Sequence, residues 1–201
     1  MTQKQKTHRI AVAALLAAVA AVLQFVEFSI PVMPAFIKLD VSDLPALLGT
    51  FSLGPVYGVA IQLVKNLLHL PFGSSACVGE LSNFLLGATF AFIAGIIYKK
   101  HKNRSGALWG SVAGAAAMAL ISLPLNYFIV YPAYVVLYGL PLEGIVGMYE
   151  AILGTVAHVP TGNALFNCLL VFNVPFTLCK GLLDVALCFL IYKPLSPLLH
   201  K

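Results

Sequence analysis

The stretch Val171–Tyr192, VFNVPFTLCKGLLDVALCFLIY, constrains the chain more than any other. It is long enough to cross a bilayer, which takes about 20 mostly apolar residues, yet it carries a lysine and an aspartate. Asn173, Thr177, Lys180 and Asp184 follow one another at spacings of 4, 3 and 4, so on a helix of about 3.6 residues per turn they form one polar stripe. Pro175 suits the first turn of such a helix, where its missing N–H is not needed. Lys180 then lies about 7 Å into it, at roughly 1.5 Å per residue. An ionisable group at that depth costs roughly 3 kcal/mol or more unless it faces protein, water or a partner charge. Either Lys180 and Asp184 neutralise each other inside a bundle, or the stripe lines a ligand cavity.

Composition places the stretch among others like it. Hydrophobic residues make up 60% of the chain and charged ones 9%, against about 25% charged in soluble domains. The expectation is an all-α membrane protein built as a single domain over residues 1–201, with no nucleic-acid role for its net charge of +5. The basic start, Met1 to Arg9, followed by IAVAALLAAVAAVL has the look of a signal peptide, but the apolar run continues to about Ile30, which favours an uncleaved first span. Cys77, Cys168, Cys179 and Cys188 have no C-x-x-C spacing and no histidine cluster, so packing rather than metal binding is expected of them.

Six spans are expected, at about 10–30, 44–53, 56–70, 81–98, 106–130 and 171–192. In the first, Ala13, Ala17 and Ala21 share a face with Ala14 and Ala18 beside them, smooth enough for another helix to approach closely in lipid. PVMPAFIKLDVSDLPALL follows, with Asp43 or Ser42 placed to cap the second helix and Pro45 in its first turn. That helix is too short for a ~30 Å core. The third carries Gln62, Lys65, Asn66 and His69 on one face. The fourth begins with Glu80 and Asn83, with Gly87 leaving room beside them, and the fifth ends at Asn126 and Tyr127. Between residues 131 and 170, Ile145, Met148, Tyr149, Ile152, Leu153 and Val156 make an apolar stripe, as in a short helix lying at the interface or covering the bundle.

With six spans, Lys4, Lys6, Arg9, Lys99, Lys100, Lys102, Arg104, Lys193 and Lys201 all fall on one side, nine of the twelve basic residues. The positive-inside rule makes that side, and both termini, cytoplasmic. Tyr98, Trp109 and Tyr192 then form an inner aromatic belt, and Tyr127, Tyr131, Tyr134 and Tyr138 cluster at the outer end. The embedded polar groups Lys65, Asn66, His69, Glu80, Asn83, Asn126, Thr177 and Lys180 converge in the outer half, beneath long outer loops. This describes a pocket opening outward, above an apolar inner half that argues against a channel. Amides and a lysine suit a flat, imide-like heterocycle, and tyrosines offer stacking faces. No GK dipeptide occurs, so there is no P-loop; active transport would need partner subunits.

The segments KLDVSDLPALLG with the GP turn after it, KNLLHL, GELSNFLLG, PLNY and PFTLCKG, spread from Lys38 to Gly181, resemble the riboflavin-specific substrate-binding (S) component of energy-coupling factor (ECF) transporters. The resemblance implies a six-helix bundle in a bacterial cell membrane. Riboflavin would bind as transported ligand, not cofactor, beneath the first and fifth loops. It implies docking through Ala13, Ala14, Ala17, Ala18 and Ala21 onto a transmembrane coupling protein that carries two ATPases, which consume the ATP. Asn126 and Lys180 would bond the isoalloxazine ring, and Asp40 and the Gly79-Glu80 region would sit near the ring or ribityl chain. Leu39, Lys65, Asn83, Tyr127, Asn173 and Thr177 complete the candidate site. Thr177 stands where the family's motif usually has asparagine, and a hydroxyl offers less than an amide's donor-and-acceptor pair. That departure bears on the choice between riboflavin and its phosphate, FMN.

Three alternatives come from other readings: an S component for another vitamin, a structural membrane subunit, and an intramembrane enzyme. The enzyme would use the Gly73-Ser74-Ser75-Ala76 turn with His69 or His158 as base, or a Thr177–Lys180 dyad.

Overall fold

The computed structural model describes residues 2–31, 33–34, 37–73, 77–139, 141–153 and 163–199. The chain is helical almost throughout. Helix α1 (Gln3–Gln24) opens with a capping box in which the Thr2 side chain accepts from the Gln5 backbone and the Gln5 side chain answers. It ends earlier than the apolar run suggests. Residues beyond Phe25 turn back, and β1 (Phe28–Ser29) pairs antiparallel with β2 (Lys38–Leu39). Glu27 forms an ion pair with Lys38 across this hairpin, so the hairpin's charge pairing takes precedence over continued helix.

Helix α2 (Asp43–Leu53) and helix α3 (Pro55–His69) are joined by Gly54 alone, whose φ of 114° lies in the region open mainly to glycine. Pro55 then starts α3 where its missing N–H costs nothing. Ser42 precedes α2 without a side-chain capping bond, and Asp43 turns into the bundle toward Lys65 instead. The expected cap is absent because the lysine competes for the carboxylate. Helix α4 (Val78–Lys100) runs back toward the basic turn.

Helix α5 (Arg104–Leu125), capped by Asn103, carries Pro124 inside it and widens into a π-helical turn at Asn126–Val130. Proline breaks the regular hydrogen-bond ladder, and the wide turn lets the helix continue as α6 (Tyr131–Tyr138), well past the expected end at Val130. Helix α7 (Leu142–Leu153) realises the short covering helix, with Ile145 and Tyr149 buried; Val156 and His158 lie outside the described residues. Helix α8 (Ala164–Cys168), a second π-helical turn at Leu169–Asn173, and α9 (Val174–Leu199) form the last continuous segment. It starts well before Val171.

Among the described residues, four helical segments are long and apolar enough to cross a membrane: Gln3–Gln24, Val78–Lys100, Arg104–Leu137 and Ala164–Ile191. The chain is a multi-pass membrane protein. α4 packs along α5 and α3, α5 along α9, and α1 against α2 and α3. Gly110 and Gly114 allow α5 to approach the α4 backbone, since a Cβ there would fall within 2.8 Å of the Ala94 and Phe90 carbonyl oxygens. The apolar core divides by level. One cluster, around Leu47, Phe90, Met118 and Val185, fills the end nearer the basic turn. Another, around Val130, Tyr131, Tyr149 and Leu169, lies under α7. Between them the polar side chains meet.

Candidate ligand-binding site

A cavity of about 320 Å³ opens at the α7 end of the bundle, at the lower end of the range for small-molecule sites, ~300–1,000 Å³. Lys180 of α9 stands at its base. The ammonium donates to Asp40 Oδ2 at 2.8 Å and to Asn83 Oδ1 at 3.3 Å, and lies 3.7 Å from Asp43 Oδ2. Asp43 is shared with Lys65, 2.5 Å away, which also donates to the Ser42 hydroxyl at 2.6 Å. Ser42 in turn donates to Asp40 through both its backbone N–H and its hydroxyl. Two lysines and two aspartates from a loop and three helices thus close a balanced network. Burial alone would raise the Asp40 carboxyl, but Lys180 and Lys65 more than offset it and hold the group well below the usual carboxylate range.

Of the two readings of the stripe, the one that pairs Lys180 with Asp184 is not met: no hydrogen bond or salt bridge joins them among the described residues. Asp184 is fully buried, and neither carboxylate oxygen has a hydrogen-bond partner among the described residues. Lys180 reaches toward the cavity, where Asp40 competes successfully for it.

The cavity walls come from every part of the chain. Gly79, Glu80 and Asn83 of α4 line it, with Asn126, Asn173, Thr177, Lys180 and Asp40. Glu80 Oε1 lies 3.0 Å from His69 Nδ1; Gly73 leaves space for this carboxylate, since a Cβ there would lie 1.9 Å from Oε1. Asn126 and Thr177 are nine-tenths buried and line the cavity, yet their side chains have no hydrogen-bond partner within the described protein. Neither contributes one of the fully enclosed unpaired atoms of the described residues, so their polar groups face the cavity and are available to a ligand.

At the covering helix, three side chains close a ring. Asn173 Nδ2 donates to the Tyr131 hydroxyl at 3.1 Å, Tyr131 and Tyr149 hydroxyls are 2.5 Å apart, and Tyr149 donates to Asn173 Oδ1 at 2.6 Å. Burial pushes the Tyr149 phenol far above its ordinary value, so it remains a donor. Both ring members from the bundle adjoin the π-helical turns, where the wider helix re-aims side chains.

Three candidates fall outside the cavity wall. Lys65 lies beneath it, supporting Asp43. Leu39 sits in the hairpin, and the Tyr127 hydroxyl accepts from Asn163 at the exposed rim. Conversely, Gln24, Glu27, Lys38, Asp43, His69, Tyr131 and Tyr134 do line it. Gln24 had a readable signal: it is the first polar side chain after a long alanine-rich apolar run. Among the alanines, Ala17 is buried against α2 and α3 and Ala21 is buried, Ala13 is half-buried, and Ala14 and Ala18 are exposed. The smooth face is therefore split, its inner part consumed by packing within the chain.

Of the enzyme alternative, Ser74, Ser75 and His158 lie outside the described residues. Lys180 donates to Asp40 and Asn83, and no hydrogen bond joins it to Thr177 among the described residues.

The model of the family described as the substrate-specific component of ECF transporters matches residues 8–192. This chain belongs to that family. Similar proteins include the riboflavin transporter RibU of Staphylococcus aureus (strain TCH60), 32% identical over 98% of this chain and 95% of the relative. Another is the riboflavin transporter FmnP of Bacillus subtilis (strain 168), 28% identical over 98% of this chain and 96% of that one. A solved structure, of the S component of a bacterial ECF transporter, superposes with a TM-score of 0.74 at 32% identity, covering 98% of this chain and 99% of its own. As an ECF component, the chain has its cavity where α4, α5 and the segment from α8 to α9 converge.

Proposed function

We propose that this ECF component captures riboflavin in the cavity and delivers it for uptake driven by a coupling protein and its two ATPases. The observation that carries the reading is the pair of unpartnered, buried side chains, Asn126 and Thr177, set beside Lys180 and Asn83. An amide, a hydroxyl and an ammonium on one wall match the alternating donors and acceptors of an isoalloxazine edge. Tyr131 and Tyr134 offer aromatic surface nearby. The names of the relatives support the same ligand.

The charges favour riboflavin over its phosphate. Lining carboxylates Glu27, Asp40, Asp43 and Glu80 face Lys38 and Lys180, each of which already has a carboxylate partner, and the His69 ring lies against Glu80. A phosphate dianion needs donors that are not so committed.

In this reading the chain crosses the membrane six times, through α1, α2, α3, α4, the α5–α6 segment and the segment from α8 to α9. Both termini are cytoplasmic and the cavity opens outward, with the exposed Ala14 and Ala18 facing the coupling protein. The chain transports and does not catalyse. Riboflavin fluorescence should be quenched saturably, at one site, by the purified protein. No quenching by riboflavin or FMN, with saturable binding of another vitamin, overturns the reading.

A further inference from the structure

A line of polar contacts, beginning with an ion pair and continuing through hydrogen bonds, runs behind the cavity wall from its floor to Gln24 of the first helix, passing an Asp43 carboxylate that Lys65 also holds. Lys180 Nζ lies 3.7 Å from Asp43 Oδ2. The other oxygen of Asp43 accepts from Gln62 Nε2 at 2.8 Å. The Gln62 backbone carbonyl accepts from Asn66 Nδ2 at 2.8 Å, and Asn66 Oδ1 accepts from Gln24 Nε2 at 3.2 Å. Gln62, Asn66 and Gln24 are at most 4% exposed. Gly87 on α4 makes this arrangement possible, because a Cβ there would lie 2.6 Å from the Gln62 amide.

Packing alone does not call for such a chain. Apolar residues of similar volume would avoid the desolvation of three amides. Nor is the chain fully satisfied: Gln24 Oε1 and Gln62 Oε1 have no partner among the described residues. Buried acceptors left open are rare and costly, and they leave each amide an unused bonding position. A rotation of one amide therefore has somewhere to go. Gln62 and Asn66 do not line the cavity, so their contribution to a ligand must pass through Asp43 or Gln24.

We propose that ligand occupancy at Lys180 is transmitted to α1 through Asp43, Gln62, Asn66 and Gln24, with Gln62 and Asn66 as positioning residues. A ligand that draws on the Lys180 ammonium weakens its hold on Asp43. Asp43 then binds the Gln62 amide differently, and the change reaches α1 at Gln24. The same helix presents Ala14 and Ala18 on its exposed side, so the end of the line is a helix with a free outer face. The inference rests on the functional reading for its ligand, riboflavin.

Hydrogen–deuterium exchange of the full chain in detergent micelles, with and without saturating riboflavin, tests it. In the parent protein, riboflavin should slow exchange in α9 around Lys180 and change the rate in the last turns of α1 by roughly 2- to 25-fold, the span of energetic coupling between distant sites. Gln62→Met should keep riboflavin affinity within about 3-fold and keep the α9 protection, while the α1 response disappears. Asn66→Leu cuts the next link and carries the same expectation if Gln62→Met does not fold. Protection of α9 without any α1 response in the parent overturns the relay, as does an undiminished α1 response in both variants. Absence of any riboflavin-dependent protection in the parent overturns the functional reading instead.

Discussion

Replacing Lys180 by methionine removes the cation between Asp40 and Asp43 and leaves Lys65 alone with both carboxylates. Removing one member of a buried ion pair is strongly destabilising, so loss of binding alone does not show that Lys180 touches ligand. The double variant Lys180→Met, Asp40→Asn separates the roles. It should recover much of the thermal stability while riboflavin affinity stays reduced by roughly 1.5–3 kcal/mol, typical of a hydrogen bond to a charged group. A double variant that binds like the parent makes Lys180 a structural counter-ion. Asn126→Ala is the cleaner probe, since its side chain has no partner among the described residues: titration should show weaker binding by about 1–2 kcal/mol with an unchanged melting temperature. Asp40 also sets a pH dependence. Its folded carboxyl is held below its unfolded value of about 4, so its contribution is present above that value and is lost as pH falls below it. The melting temperature should therefore be insensitive to this group from pH 8 to 5 and fall below about pH 4, a drop that Asp40→Asn should lessen. Lys180, Asn126 and Glu80 were legible in the sequence because a polar group in an apolar span needs a reason. The partner of Lys180 was not: spacing shows Asp184 one turn away, whereas Asp40 lies 140 positions distant.

At the scale of elements, helix α1 makes two different predictions from one run of alanine. Ala17 is 2% exposed and meets α2 and α3, so Ala17→Trp should impair folding, read as lost monodisperse protein on size exclusion. Ala14→Trp and Ala18→Trp should leave folding and riboflavin binding intact and abolish uptake in cells that carry the coupling subunits. Unchanged uptake identifies the face as lipid-exposed only. Period counting found all five alanines but not which side the bundle would take, because alanine fits either a helix partner or lipid. Helix α7 was legible from its stripe, and the tyrosine that matters within it was read only as apolar. Tyr149→Phe should cost about 1–3 kcal/mol by stranding buried Asn173 and Tyr131 groups, with faster riboflavin release in stopped-flow measurements if α7 covers the cavity. The π-helical turns escaped the sequence for a physical reason: they depart from the period on which the reading depends, and they moved the ends of both long segments.

For the molecule as a whole, the proposed orientation can be read chemically. Cys77 is exposed beside the start of α4, at the cavity end. In intact cells, a membrane-impermeant maleimide should label it from outside, and Cys77→Ala should remove that label; labelling only after permeabilisation reverses the orientation. The level at which polar groups gather was readable from the chain, since each lies near the end of an apolar segment. Their pairing into one network was not, as it depends on α2 and α3 being short enough to bring Asp43 and Lys65 together inside. That shortness has a consequence for how the protein is made. Helices of 11 and 15 residues reach only about 16 and 22 Å, less than the ~30 Å hydrocarbon core. Neither is a good independent guest in lipid, and each carries a charge that lipid rejects. Joined by one glycine, they present those charges to each other, so under the six-span proposal the pair would enter the bilayer as a single hairpin with Asp43 and Lys65 already neutralised.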